Sequence, residues 1–212
     1  MQILFRKKIM ATTENSAPSF LRDAFESYAQ YTADQKQDAQ QRALQWLQTH
    51  IESDLSDKTI LTQFAQKWRT GNNTPSEADQ SPLNWANLPR SYKGNKSINS
   101  HQEEALKFLE ETIPQELQDD FKARWEVKTK LKVSNTSGTP LKVDETDLKA
   151  LQENDPNGEG KNWYQVNKGD VYYLLSSEEK DDHYRIVTTE EIGSDNRNTW
   201  YVSKEDVSIS GV

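Results

Sequence analysis

The feature that most constrains this chain is a repeat. Ala43-Leu44-Gln45-Trp46-Leu47 returns 62 residues later as Ala105-Leu106-Lys107-Phe108-Leu109, and Ile51 returns as Ile113 at the same offset. Leu61, Phe64 and Trp68 return after 57 residues at Leu117 or Gln118, Phe121 and Trp125, so the first copy has five more residues in its connection. Self-similarity on this scale marks a supersecondary unit used twice. Leu44, Leu47 and Ile51, and then Ile60, Leu61, Phe64, Ala65 and Trp68, fall at helical spacings that place apolar groups on one stripe. Each copy is therefore expected to be two amphipathic helices.

Start signals agree with this reading. Ser100 and Glu103 have capping-box spacing, Ser56 or Asp57 can cap the second helix of the first copy, and Pro114 suits a first helical turn. A leading helix is expected from Phe20 to about Gln30, with Phe20, Leu21, Ala24, Phe25 and Tyr28 on one side, which makes five helices. A short pair cannot bury its stripe alone, so the two copies are expected to face each other with Trp46, Trp68, Phe108 and Trp125 near the shared core. Between them, residues 70–99 read as a long loop rich in Gly, Asn, Ser and Pro, pinned to the helices by Trp85, Leu88 and Tyr92.

After Trp125 the period changes from helical to extended. Residues 128–133 alternate Lys with Thr, Leu and Val, and 163–166, 171–175, 183–188 and 198–202 are short β-branched and aromatic runs separated by Gly, Asn, Asp and Ser. Five or six strands in a small barrel or sandwich are expected, with an acidic insert at 144–160 holding one helical turn near Leu148 and Leu151. The fold class is thus α+β. Residues 1–17 read as a disordered or extended segment, 18–126 as a helical domain of two repeated hairpins plus a leading helix, and 127–212 as a small β domain. Met10 could be the natural start.

Composition narrows the function. Hydrophobic residues make up 33% and aromatics 9%, so the cores must lean on large rings. The absence of Cys removes disulfides, thiolate nucleophiles and Cys-based metal sites together. The net charge of −8 lies mostly after residue 70: residues 1–70 carry 9 basic and 8 acidic groups, 71–126 carry 6 and 10, and 127–212 carry 11 and 16. Such a surface repels phosphate backbones, so no nucleic-acid partner is expected. No run approaches the roughly 20 apolar residues of a membrane span, so no membrane insertion is expected. The first ten residues do not read as a signal peptide, because their apolar run is short and precedes the charges. A cytoplasmic protein, or one released without a standard signal, is the corresponding expectation.

The sequence closes on His183-Tyr184-Arg185-Ile186-Val187, Asn198-Thr199-Trp200-Tyr201-Val202 and Val207-Ser208-Ile209. This pattern resembles the last strands of bacterial SH3-like modules, in particular those appended to cyanobacterial cell-wall (peptidoglycan) peptidases and lysozyme-type proteins. The helical repeat, Ala-Leu-x-(Trp/Phe)-Leu followed by Phe-x-x-x-Trp, resembles the short helical segments of the same multi-module chains. The resemblance implies an SH3-like β-barrel and a non-catalytic, cell-wall-associated or phage-lysin-like part, since the hydrolase domain of those proteins has no counterpart here.

The residues that could carry chemistry agree with this expectation. His50, His101 and His183 are far apart and lack metal-ligand spacing, and no Gly-x-Ser-x-Gly elbow occurs. Adjacent carboxylates such as Glu110-Glu111, Asp119-Asp120 and Glu190-Glu191 read as solvated faces and turns. Asp155-Pro156-Asn157-Gly158-Glu159-Gly160 opens like a calcium loop, but Val166 would stand where a bidentate Glu is needed; a Gly-rich turn explains it better. Gly94-Asn95-Lys96-Ser97 lacks the leading Gly and spacing of a phosphate loop. No catalytic residue, metal or cofactor is assigned and no enzyme is expected. The expectation is a binding protein whose partner is a polymer, peptide or protein. Trp163, Tyr164, Tyr173, Tyr184 and Tyr201 are the candidate contacts, because rings with polar tips stack on sugars or peptides. Packing would instead keep Tyr172 and Trp200 in the core with Tyr164, Tyr173 and Tyr201 outside. The alternative function is a structural or adaptor subunit of a larger assembly, of phage or injection-machine type, docking through its helices.

Overall fold

The computed structural model describes residues 20–28, 34–54, 58–70, 83–91, 99–158 and 160–212. Helices occupy the first part: α1 (Phe20–Tyr28), α2 (Asp34–Asp54), α3 (Lys58–Thr70), a 3-10 turn (Trp85–Asn87) leading into α4 (Leu88–Ser91), α5 (Asn99–Thr112) and α6 (Gln115–Trp125). Strands occupy the second: β1 (Thr129–Val133), β2 (Thr139–Lys142), β3 (Trp163–Val166), β4 (Val171–Lys180), β5 (His183–Ile192), β6 (Arg197–Ser203) and β7 (Val207–Gly211), with α7 (Leu148–Asn154) between β2 and β3. The chain is α+β, as its change of period implies.

The repeated segments form α2–α3 and α5–α6, and each copy packs on the other in exchanged order: α3 lies along α5, and α2 along α6. Equivalent core residues are buried alike. Leu44 and Leu106, Leu47 and Leu109, Ile51 and Ile113, and Phe64 and Phe121 are all buried. Phe64 meets Trp68 with ring centroids 5.9 Å apart, and Phe121 meets Trp125 at 5.5 Å. Gln40 and Gln102, 62 residues apart in sequence, are both buried with an amide oxygen lacking a partner. Phe25 of α1 sits where the copies meet, 5.9 Å from the Trp68 ring and 5.8 Å from Trp125. Burying such a ring is worth about 1.5–3 kcal/mol, so α1 closes the pair of hairpins. Its first turn is held by Glu110, whose carboxylate accepts from the Leu21 amide at 2.6 Å, an anion placed where unsatisfied helix N–H groups favour it. Glu110 is therefore a cap, where sequence suggested a solvated face.

Two details of the helical half differ from expectation. Trp46 and Phe108 lie at the border of the core, half-buried, while Trp68 and Trp125 are inside it. Residues 83–91, within the expected loop, contain a 3-10 turn and a helical turn whose Trp85 and Leu88 are buried in the same core; the pinning expected of these two is observed. Pro114 stands immediately before α6, in the N-cap position. Residues 1–17, Ser56, Asp57, Tyr92 and 94–97 lie outside the described residues.

The strands form one antiparallel sheet in the order β3-β2-β6-β5-β4-β1-β7, with β3 and β7 as edges. The sheet is not closed, which differs from the barrel expected of this half; β3, with four residues, pairs among the described residues with β2 alone. β2 escaped the sequence reading because Thr-Pro-Leu-Lys is short and carries a proline. β4 and β5 run further than their apolar cores, joined at Asp181, whose φ of 41° suits the tight turn. Leu131, Val133, Leu141, Val166, Leu174, Ile186, Trp200, Val202 and Val207 form the core of this half. Trp200 is fully buried and donates from Nε1 to the Arg197 carbonyl at 3.1 Å.

Candidate functional site

The five aromatic residues expected to contact a ligand do not form one surface. Trp163 is buried: its Nε1 donates to the Asp155 carbonyl at 2.6 Å. The ring lies so close to Gly158 that a Cβ there would come within 2.7 Å of it. The Asp155–Gly158 turn is thus a clamp on Trp163, and Asp155 also accepts from the Asn162 amide at 3.2 Å. Tyr173 is buried too, although alternation correctly sets it on the opposite face from Tyr172. That face is covered by α2: the Tyr173 hydroxyl donates to Asp38 at 3.0 Å, and its ring packs with Ala39, Val127 and Val212. Burial, reinforced by the bond to Asp38, raises its pKa to about 12. Neither residue is a surface contact.

Tyr164, Tyr184 and Tyr201 remain half-exposed. Tyr164 and Tyr184 stand opposite Leu141 and Val202, on the core side of the sheet, and both pack against its core. The Lys204 ammonium lies 5.4 Å from the Tyr184 ring centroid. Tyr201 alone of the three projects outward. It stands directly opposite Arg185 on one neighbouring strand and Lys142 on the other, and opposed residues share a face. His183, diagonal to it, has a pKa lowered first by burial and then by Lys142. Lys142 itself is buried and donates to the Thr146 carbonyl at 2.9 Å. The outer face of the sheet therefore carries one half-exposed tyrosine between two cations.

Sequence reasoning missed a second place, the seam between the helical and β halves. Arg124 of α6 is 7% exposed and donates from Nε to the Thr189 carbonyl at 3.2 Å and from Nη1 to the Asp120 carbonyl at 3.1 Å. Its guanidinium lies 3.8 Å from the Trp46 ring centroid, and the His50 ring lies 4.3 Å from the same indole. Trp46 thus packs against both a cation and an imidazole, and the imidazole Nδ1 is 2.8 Å from the Trp46 carbonyl. Arg42 bridges the halves by pairing with both Asp38, on its own helix, and Glu190 of β5. Burial lowers the Arg124 pKa, an effect opposed by Asp120 and Glu191. Two clefts flank this cluster, of about 220 and 370 Å³, and both are lined by Trp46, His50, Arg124 and Glu191.

The signal for this seam lies in the repeat. Lys67 is the counterpart of Arg124 at the offset of 57, and its ammonium lies 5.2 Å from the ring of Phe108, the counterpart of Trp46. The cation–ring contact is made twice, each time between different copies, but only one of the two faces the β half.

Among the described residues no group of three or more His, Asp or Glu could hold a metal ion, and no helix is long and apolar enough to cross a membrane. The chain matches no protein family, no curated protein and no solved structure.

Proposed function

We propose that this chain is a non-catalytic binding or accessory protein whose β half, read as an SH3-like module, recognises a cell-wall polymer or a peptide. The observation carrying this reading is the outward-facing Tyr201 between Arg185 and Lys142. A ring with a polar tip offers an apolar face to a sugar or a peptide backbone, and the half-exposed Arg185 supplies donors to its polar groups, while Lys142 is committed to the Thr146 carbonyl. The contact set is smaller than the sequence suggested: Tyr201 leads, Tyr184 and Tyr164 lie on the other side of the sheet, and Trp163 and Tyr173 belong to the scaffold.

Retention of the folded chain on purified peptidoglycan tests the proposal. Tyr201→Ala is expected to reduce retention about tenfold, in keeping with about 1–1.5 kcal/mol for a lost ring contact, while Tyr173→Phe leaves it unchanged. Absence of retention by the folded chain ends the wall-binding reading.

A second reading, a structural or adaptor subunit of a larger phage-like or injection-type assembly, is favoured by the half-exposed Phe108 and Lys67. Their counterparts Trp46 and Arg124 dock the β half, so this is a packing face of the same construction without the β half on it. Sedimentation in native extract distinguishes the readings: a complex that dissociates on Phe108→Glu supports the adaptor, and a free monomer counts against it.

A further inference from the structure

On the outer face of the sheet, the side chains of Arg185, Tyr201 and His183 form no hydrogen bond or ion pair among the described residues. Tyr201 stands directly opposite Arg185, and His183 lies two residues along β5 from Arg185. Opposed residues, and residues two apart on a strand, share a face, so the three polar ends are neighbours. All three residues are half-exposed, and none of their side-chain nitrogen or oxygen atoms is among the buried ones that lack a partner. These donors are therefore open to a ligand.

The charges around them are already engaged. Glu178, opposite Arg185 on β4, pairs with Lys180 at 2.6 Å, and Lys142 donates to the Thr146 carbonyl at 2.9 Å. Elsewhere in the chain Arg22 and Arg42 pair with carboxylates, and Arg124 donates to two carbonyls. Residues 127–212 carry 11 basic and 16 acidic groups. Carboxylates are in excess there, so the free fork of Arg185 reflects where it is placed and not a scarcity of partners.

We infer that this face is a carboxylate site, in which the guanidinium of Arg185 and the hydroxyl of Tyr201 hold the carboxylate while the body of the ligand lies on the Tyr201 ring. The inference rests on the proposed reading of this face as the ligand surface, and it names the chemistry the ligand must carry. A guanidinium presents paired N–H donors that match the two oxygens of a carboxylate, and a phenol hydroxyl adds one more donor. His183, whose pKa is lowered by burial, supplies a neutral ring N–H beside them. A doubly charged phosphate asks for more positive charge than one free cation supplies in an acidic half. An acidic sugar and an acidic peptide both offer the required group beside an apolar surface.

The test is a titration of the intact chain at pH 7 and constant ionic strength, followed by ¹⁵N–¹H spectra, with two matched pairs: glucuronate against glucose, and N-acetylglycine against N-acetylglycinamide. The Ile186 and Val202 backbone amides, next to the site, are expected to shift saturably with at least one acid and about tenfold more weakly with its neutral twin. Tighter binding of glucuronate identifies a sugar as the source of the carboxylate, and tighter binding of N-acetylglycine a peptide. Arg185→Gln removes the fork at a half-exposed position, and thermal melting checks that the variant folds. It is expected to weaken acid binding about tenfold, the loss of a charge-assisted hydrogen bond, and to leave the neutral compounds unaffected. Acids and neutral twins that bind alike overturn the inference while leaving the face a ligand surface, and so does unchanged acid affinity in the folded variant. Amides unmoved by all four compounds also overturn it, and retention on peptidoglycan then judges the wall-binding reading alone. Acid binding without retention on peptidoglycan supports the carboxylate site and removes the wall as its source.

Discussion

Arg124 over Trp46 and Lys67 over Phe108 are the same contact made twice, and their different settings separate what the repeat requires from what the β half adds. Both place a cation from the second helix of one copy on a ring from the first helix of the other, 3.8 and 5.2 Å from its centroid. The exchanged pairing of the two copies, α3 with α5 and α2 with α6, explains why both exist. Only Arg124 is buried, because β5 lies over it and supplies the Thr189 carbonyl. Packing within the helical half therefore needs a cation and a ring; attachment of the β half needs an arginine and a tryptophan.

Substitutions can break or sharpen this contrast. The largest effect is expected at Phe25, which serves both copies equally: Phe25→Ala should lower stability by about 3–5 kcal/mol, read by urea unfolding. If the loss is under 1 kcal/mol, α1 does not close the pair of hairpins. Gly158→Ala follows, at about 1–3 kcal/mol, because its φ of 62° and the Trp163 ring both oppose a Cβ; peaks of β3 should move most and those of the helical half least. At the two equivalent cations, Arg124→Ala should cost about 1–3 kcal/mol and Lys67→Ala about 0.5 kcal/mol, since the first removes buried, charge-assisted bonds and the second a partly solvated contact. Equal losses would dissolve the contrast.

The smallest effect concerns pH. Tyr173 has a folded-state pKa of about 12, above the ordinary value of 10. The folded state holds the proton more tightly than the unfolded state, so this group's contribution is complete below pH 10 and is lost as pH rises towards 12. Tyr172, also raised by burial, acts in the same direction. Tyr173→Phe should cost about 0.5–1.5 kcal/mol at neutral pH and flatten part of the decline between pH 10 and 12. A decline identical to that of the parent chain would mean that Tyr173 is not held by Asp38.

The sequence carried the helical half well because large rings at packing intervals leave few alternatives. Leu44, Leu47 and Ile51 with their counterparts, and Phe64 and Trp68 with theirs, lie where the periodicity puts them. The exchanged pairing of α3 with α5 and α2 with α6 was not legible, since an amphipathic stripe states that a helix is buried and not against which neighbour. In the β half, alternation placed Tyr172 and Tyr173 on opposite faces correctly but could not show that α2 covers the second face. The burial of Trp163 is not legible for a similar reason: it depends on the clamp at Gly158, several residues before it in the chain and outside its own strand. The seam was hidden because neither Arg124 nor Trp46 is unusual alone; only the comparison with Lys67 and Phe108 marks them.

The central claim is that the halves are joined as one body through the Trp46–Arg124 seam, and ¹⁵N relaxation across the backbone tests it most directly. Amides of α2, α3, α5 and α6 and amides of β4, β5 and β6 are expected to report a single rotational correlation time in the parent chain. In the Trp46→Phe, Arg124→Lys double variant the two sets are expected to separate. Two distinct correlation times in the parent chain would contradict the account.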